Sequence, residues 1–242
     1  MNTIKSKNSY FEIERAGINS TFQDYGRENL NHIGIPASGA MDKRNYILAN
    51  ALLKKDLNSP VIEFAYQGPL LKYKGEEIYI VITGDVKFQI VRDNKNRIVG
   101  ESYHVYLIQN NDQIDIQSTN RSVYGYISIS ENFILDKSWG SFSVNTKAKI
   151  GSNNGEKLSD NQKIDIDHKK KKLTITNLNY VNSKIEYIRV LRSINFDFFS
   201  ETSKKNFFNK EFKVTKLSDR MGMRLEGQAL ENIAYSNIKS EG

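Results

Sequence analysis

The feature that most limits how this chain can fold is a period-two alternation of apolar and polar side chains that recurs along most of its length. Val86, Phe88 and Ile90 share a face against Lys87 and Gln89. Ile114 and Ile116 oppose Gln113 and Asp115, and Phe212 and Val214 oppose Lys213 and Thr215. Successive side chains of a strand point to opposite faces, so each run predicts a half-buried strand. Residues 78–83 and 103–108 are apolar on both parities and predict central strands. Turn signals at Lys74-Gly75, Thr83-Gly84-Asp85 and Asp93-Asn94-Lys95-Asn96 punctuate these runs. Many short strands with frequent turns predict a mainly β chain built as a closed or nearly closed antiparallel barrel.

Two segments depart from the alternation. Residues 43–55 carry Tyr46, Ile47, Ala49, Leu52 and Leu53 at helical spacing, with Asp42 ahead as N-cap and lysines at the end. Residues 200–208 predict a second helix, capped by Ser200, with a Glu in its first turn and Phe207 and Phe208 packing inward. The polar run 177–183 (NLNYVNS) marks a boundary, giving a first β-barrel-like domain over 1–182 and the start of a second over 183–242. The second piece is short for a unit expected to stand alone.

At 242 residues and 38% hydrophobic content, the chain can bury a real core. It has no cysteine, which excludes a disulfide framework, a thiolate metal site and a thiol nucleophile, and makes the cytoplasm the natural compartment. The opening MNTIKSKNSYFEIE lacks the apolar core of an export signal. No run approaches the roughly 18 apolar residues of a membrane span, so no membrane association is expected. The net charge of +7 is spread rather than clustered. The one dense run, Lys169-Lys170-Lys171-Lys172, reads as a hairpin tip or, alternatively, as a phosphate-binding patch; nucleic-acid binding is not expected. His32, His104 and His168 are scattered without metal-ligand spacing, so no metal is expected, and no G-x-S-x-G elbow supports a serine triad.

Two clusters could carry chemistry. The first runs Gln23-Asp24-Tyr25-Gly26-Arg27 and then His32 to Asp42, a loop punctuated by glycines and a proline that leads into the capped helix. Free N–H groups there favour a carboxylate or phosphate; equally, Asp24 and Arg27 could pair to pin the loop while Asp42 only caps the helix. The second is Ser218-Asp219-Arg220-Met221-Gly222-Met223-Arg224-Leu225-Glu226-Gly227. Arg220 and Arg224 could grip a carboxylate with their forked donors, or form a structural set with Asp219 and Glu226.

Read together, AGINSTFQDYGRENLNHIGIPASGAMDKRNYILANALL (16–53) resembles the opening block of the biotin-dependent carboxyltransferase family. That family includes the C subunit of bacterial 5-oxoprolinases, the second subunit of allophanate hydrolases, the matching part of urea amidolyases, and an antagonist of a sporulation-kinase inhibitor. The similarity continues through Val61-Ile62-Glu63-Phe64, Gln67-Gly68-Pro69, Ile82-Thr83-Gly84 and residues 218–227, and is weak between about 120 and 182. The resemblance implies two cyclophilin-like β-barrel halves with the active cleft between them. It implies a lactam or amide substrate such as 5-oxoproline or urea, a companion β-barrel subunit, and for the oxoprolinase a third subunit and ATP, with biotin a further implied cofactor.

Residues carried over from that resemblance are Asp24, Arg27 and Arg220 as catalytic candidates, with Asp24 an acceptor or base and the arginines electrophilic clamps. His32, Ser38, Asp42, Asn50, Glu63, Ser218, Asp219 and Arg224 are carried over as substrate-binding candidates, and Met41 falls on a turn position of the same block. The chain also departs from the family pattern. Where relatives carry Gly-Ser-Arg-Ser-Thr it has Gly140-Ser141-Phe142-Ser143-Val144, and a Gly-Arg-x-Leu-x-x-Gly-Asp element is reduced to residues 156–161. Relatives continue with further glycine-rich motifs where this sequence reaches Gly242, which implies an incomplete second half. The expectation is a subunit of an ATP-dependent 5-oxoprolinase or related amide-processing complex, active only with its partners. The alternative is a non-catalytic, regulatory or decayed relative that keeps the partner surface.

Overall fold

The computed structural model describes residues 9–169, 175–179, 187–217, 220 and 222–232, and the chain divides into two compact units, 1–182 and 183–242. In the first unit the alternation becomes β1 (Ser9–Arg15), β2 (Thr21–Gln23), α1 (Lys43–Leu52), β3 (Val61–Ala65), β4 (Leu70–Lys74), β5 (Ile78–Thr83), β6 (Val86–Val91), β7 (Arg97–Val99), β8 (Val105–Ile108), β9 (Gln113–Thr119), β10 (Tyr124–Ile129), β11 (Asn132–Phe133) and β12 (Lys163–Asp167). These strands form two antiparallel sheets, ordered β11-β12-β1-β4-β9-β6-β7 and β2-β3-β10-β5-β8. Among the described residues neither sheet pairs its two end strands. The mainly β, barrel-like body is therefore an open pair of facing sheets rather than a closed cylinder.

One apolar core fills the space between the sheets. Phe11, Leu71, Phe88, Ile114 and Ile166 of the larger sheet meet Phe22, Ile62, Phe64, Ile80 and Ile127 of the smaller one. A second cluster covers the outer face of the smaller sheet, where Tyr46, Ala49, Leu52 and Leu53 of α1 pack on Val61, Val81, Val105 and Tyr126. Buried on both faces, β5 reads as a near-continuous apolar run and β3 as one interrupted at Glu63, whereas β6, exposed on one side, keeps its alternation.

The helix predicted over 43–55 stops at Leu52. Lys54 adopts φ 50°, its N–H bonds Ala51 O at 2.9 Å, and Lys55 N–H bonds Asn50 O at 3.0 Å. These paired bonds close a Schellman turn with lysine in the left-handed place glycine usually takes. The pattern over 103–108 predicts a central strand, but β8 is an end strand. Its apolar character has another cause: Val105 N–H donates to Asn177 Oδ1 and Leu178 N–H donates to Tyr103 O, so the chain itself covers that edge. Of the lysine run, Lys169 is described and residues 170–172 lie outside the described residues.

In the second unit Ser200 caps α2 (Glu201–Asn209) through Ser203 N–H, and β13 (Lys213–Val214) pairs with β14 (Leu225–Glu226). Phe207 and Phe208 do not pack inward as expected but stay substantially exposed, in edge contact with each other. Val214 is exposed as well. The physical reason is shared: this two-stranded hairpin is the only sheet among the unit's described residues, too little to close over them.

Candidate functional site

Three loops meet at the open end of β2. Loop 24–27 lies against loop 37–40 backbone to backbone: Arg27 N–H donates to Ala37 O at 2.7 Å and Ala40 N–H to Asp24 O at 2.9 Å. Glycine makes this approach possible. A Cβ on Gly26 (φ 94°) would meet Ala37 O at 2.6 Å, and one on Gly39 (φ 93°) would meet Tyr25 O at 2.5 Å. The third loop, 138–144, runs beside β2, with Val144 N–H donating to Phe22 O at 3.0 Å and Gln23 Nε2 to Val144 O at 3.0 Å.

Asp24, 2% exposed, ties the first loop to the third. Its Oδ1 accepts from Gly26 N–H at 2.8 Å, from Ser141 Oγ at 2.5 Å and from Ser143 Oγ, while Oδ2 accepts from Phe142 N–H at 2.8 Å. Arg27, 5% exposed, crosses the same gap: Nε donates to Ser138 O at 3.0 Å and Nη2 to Ser143 O at 2.8 Å. Its Nη1 is buried with no hydrogen-bond partner, as are Ser38 Oγ and Gln23 Oε1. Burial lowers the guanidinium's affinity for its proton, and the neighbouring Asp24 charge partly restores it. An arginine starts so far above neutrality that the cation persists. The result is a buried positive donor aimed from a fixed frame, suited to an amide carbonyl or carboxylate oxygen.

The other carried-over residues occupy distinct places. Asp42 caps α1, accepting from Asn45 N–H and Asn45 Nδ2. Asn50 sits under the helix, donating from Nδ2 to Leu57 O and Ser59 O and accepting from Ser128 Oγ. Glu63 Oε2 accepts from Met41 N–H at 2.8 Å and from the Tyr126 hydroxyl at 3.0 Å, and that hydroxyl accepts from Asp42 N–H at 2.6 Å. Glu63 and Tyr126 thus hold the end of the second loop where it enters α1. His32 is exposed on the short 3-10 turn Asn31–Ile33. Ser38 takes φ 58°, left-handed for a non-glycine residue.

Arg220 and Arg224 belong to the second unit. Burial pulls the Arg220 guanidinium down to about 10, and Arg224 is exposed, its carbonyl accepting from Thr215 N–H at 2.9 Å. Ser218 and Asp219 lie outside the described residues. Sequence reasoning names Ser141 and Ser143 within a motif that departs from the family pattern but gives them no role, yet they carry Asp24. The Ser-x-Ser spacing around Phe142 is the available signal, since serines two apart in an extended stretch point to one side. Among the described residues no group of His, Asp and Glu could hold a metal ion, and no helix is long and apolar enough to cross a membrane.

Burial pushes the Tyr126 phenol up. Tyr46 rises for the same reason, with the Asp24 charge adding to it. A phenol harder to ionise folded than unfolded leaves the folded state holding more protons above the ordinary value of 10.0. Stability is therefore expected to be flat below that pH and to fall above it by up to about 1.4 kcal/mol per pH unit for each such phenol. Urea unfolding across this range should show the fall. Tyr126→Phe should make it shallower while costing about 1–2 kcal/mol at neutral pH through the donor and acceptor left unpaired; an unchanged alkaline slope would remove Tyr126 from this linkage.

Comparison with known proteins adds a lineage to this geometry. Residues 33–242 match the family model of the carboxyltransferase domain, subdomain A and B. The chain is 28% identical over 220 residues to the C subunit of 5-oxoprolinase from Haemophilus influenzae, covering 88% of this chain and 67% of that protein. It is 26% identical over 240 residues to urea amidolyase of Saccharomyces cerevisiae, covering 94% of this chain but 13% of the relative. In fold it superposes on the crystal structure of the K. lactis urea amidolyase with a TM-score of 0.77 at 24% identity, over 96% of this chain and 15% of that one. The chain thus spans about two thirds of one relative and a small fraction of the other two.

Proposed function

The chain belongs to the family of carboxyltransferase domains, subdomains A and B, and we propose that it serves as the C-type subunit of an amide- or lactam-processing complex of the 5-oxoprolinase kind. The observation that carries this reading is the spare donor: Arg27 is held at two positions by backbone carbonyls while buried Nη1 has no partner. A lactam or amide carbonyl gains partial negative charge as its C–N bond is attacked, and a fixed cationic donor at that oxygen stabilises the change. Ser38 Oγ, also buried without a partner, is a second donor in the same loop system.

In this reading Asp24 chiefly positions. Its Oδ1 is filled by three donors, and Oδ2, with one, keeps a lone pair that could accept a substrate N–H. His32 would lie at the rim of this loop site, while Arg220, Arg224, Ser218 and Asp219 are candidates of the second unit, proposed on the resemblance alone. ATP enters through the complex, a companion β-barrel subunit and a third subunit complete the reaction, and the complex works in the cytoplasm. Biotin, implied by the family, presents a ureido carbonyl of the same acceptor chemistry, so the unpartnered donors fit it too; when bound it would carry a carboxyl group.

Reconstitution of the full chain with the other two subunits of a 5-oxoprolinase tests the reading. ATP hydrolysis should depend both on 5-oxoproline and on this chain; hydrolysis indifferent to adding it would remove the catalytic reading. One observation favours a second reading, a partner-binding subunit without turnover. Phe142 stands where the resembling motif has arginine, and Lys137 Nζ lies 5.0 Å from its ring centroid, in contact with the ring. Stable assembly with the companions but no 5-oxoproline-dependent hydrolysis would select it.

A further inference from the structure

A cavity of about 450 Å³ opens within the second unit, in the size range of small-molecule sites. Its lining falls between Val190 and Leu230 and includes none of the residues carried over from the resemblance. Most of the wall is apolar, with Leu191, Phe199, Phe207 and Leu230 around the space.

Hydrogen bonds, rather than a sheet, hold the frame of this cavity. Ser203, buried on α2, accepts from Glu231 N–H at 2.7 Å, and Ser200 N–H donates to Glu231 O at 3.2 Å. Phe199 pairs with Asn232 through an isolated β-bridge. Together these contacts tie the segment carrying Leu230 to the start of α2. Two walls of the cavity therefore keep their spacing before any ligand arrives, which lowers the cost of binding one.

Two cations share one ring of the lining. Arg192 Cζ lies 5.0 Å and Lys204 Nζ 5.2 Å from the Phe196 ring centroid, and all three residues line the cavity. Their charges are not equivalent. Lys204 Nζ donates to Glu201 Oε1 at 2.8 Å and lies 4.0 Å from Asp197 Oδ1, whereas Arg192 forms no ion pair among the described residues. One forked cation thus stands without a counter-charge on the wall of an apolar cavity.

We propose that this cavity binds an amphipathic monocarboxylate, its head on Arg192 and its hydrocarbon body against Phe196, Phe199 and Phe207. The paired donors of a guanidinium match the two oxygens of a carboxylate. A diacid would carry its second charge against the apolar wall, which is costly without a partner there. An amine of the same length would meet Arg192 and Lys204 with like charge.

Octanoate, kept below its micellar range, is a suitable probe. Calorimetry with the full chain should show one site per chain, with 1-octanol bound about tenfold more weakly. Arg192 is exposed, so Arg192→Gln should leave the thermal midpoint unchanged while weakening octanoate about tenfold and sparing octanol. Phe207→Ala should weaken both ligands about threefold. Added salt should weaken octanoate in the native chain more than in Arg192→Gln. Octanol held as tightly as octanoate, or octanoate indifferent to Arg192→Gln, would overturn the proposal. So would a native chain that takes up no octanoate, whether it is a dimer by light scattering or sediments with lipid vesicles instead. None of these results bears on the Arg27 reading, which stands or falls on 5-oxoproline-dependent hydrolysis.

Discussion

Replacing Asp24 by alanine should destabilise the chain by about 3–5 kcal/mol, the largest stability effect expected of any site substitution. The carboxylate is buried and takes bonds from two serine hydroxyls and two backbone N–H groups drawn from loops more than a hundred residues apart in sequence. Truncation leaves all four donors without their acceptor and opens a void where loops 24–27 and 138–144 are joined. Asp24→Asn is the informative partner. The hydroxyls can turn to accept from an amide, but the Phe142 and Gly26 N–H groups cannot, and the single amide oxygen can face only one of them, so one N–H loses its acceptor. The expected cost is about 1–3 kcal/mol. Urea unfolding of the two variants checks the ordering; equal, small effects would mean that the loops are held together by other contacts.

Arg27→Met should lower kcat/KM of the reconstituted complex by about 10²–10³, in the range found when a preorganised donor to a developing oxyanion is lost. Methionine keeps much of the volume, so the loss would report the cation rather than a collapsed cavity. Arg27→Lys separates charge from geometry. An ammonium cannot reach Ser138 O and Ser143 O as a planar fork does and still present a donor outward. Lysine should therefore restore only a small part of the activity, roughly a tenth at most. Full rescue by lysine would show that a point charge suffices and that the forked frame is incidental.

How much of this is legible in the sequence depends on how locally each feature is encoded. Strands such as β6 and β9 follow from alternation because one sheet face meets the core, and the Ser200 cap of α2 follows from a side chain bonding three residues on. The end of α1 does not follow, because Lys54 takes a left-handed conformation that its side chain does not advertise. Nor does the exposure of Phe207 and Phe208 on α2 or of Val214 on β13, since helical or strand periodicity fixes which side chains share a face but not whether anything covers it.

The site divides in the same manner. The Asp24 and Arg27 neighbourhood stands out as a glycine-punctuated run, but its partners lie beyond residue 137 in a stretch where resemblance is weak. Ser141 and Ser143 acquire meaning only once β2 and the 138–144 loop are side by side. The resemblance makes Glu63 and Asn50 binding residues. The structure places them beneath the loops, holding Met41 N–H and the chain after α1.

The spare nitrogen of Arg27 is open to one direct observation. A crystal structure of the full chain with 5-oxoproline should place the lactam carbonyl oxygen at roughly 3 Å from Nη1, while Nε and Nη2 remain on Ser138 O and Ser143 O. The ligand bound elsewhere, or Nη1 still without a partner beside it, would contradict the assignment.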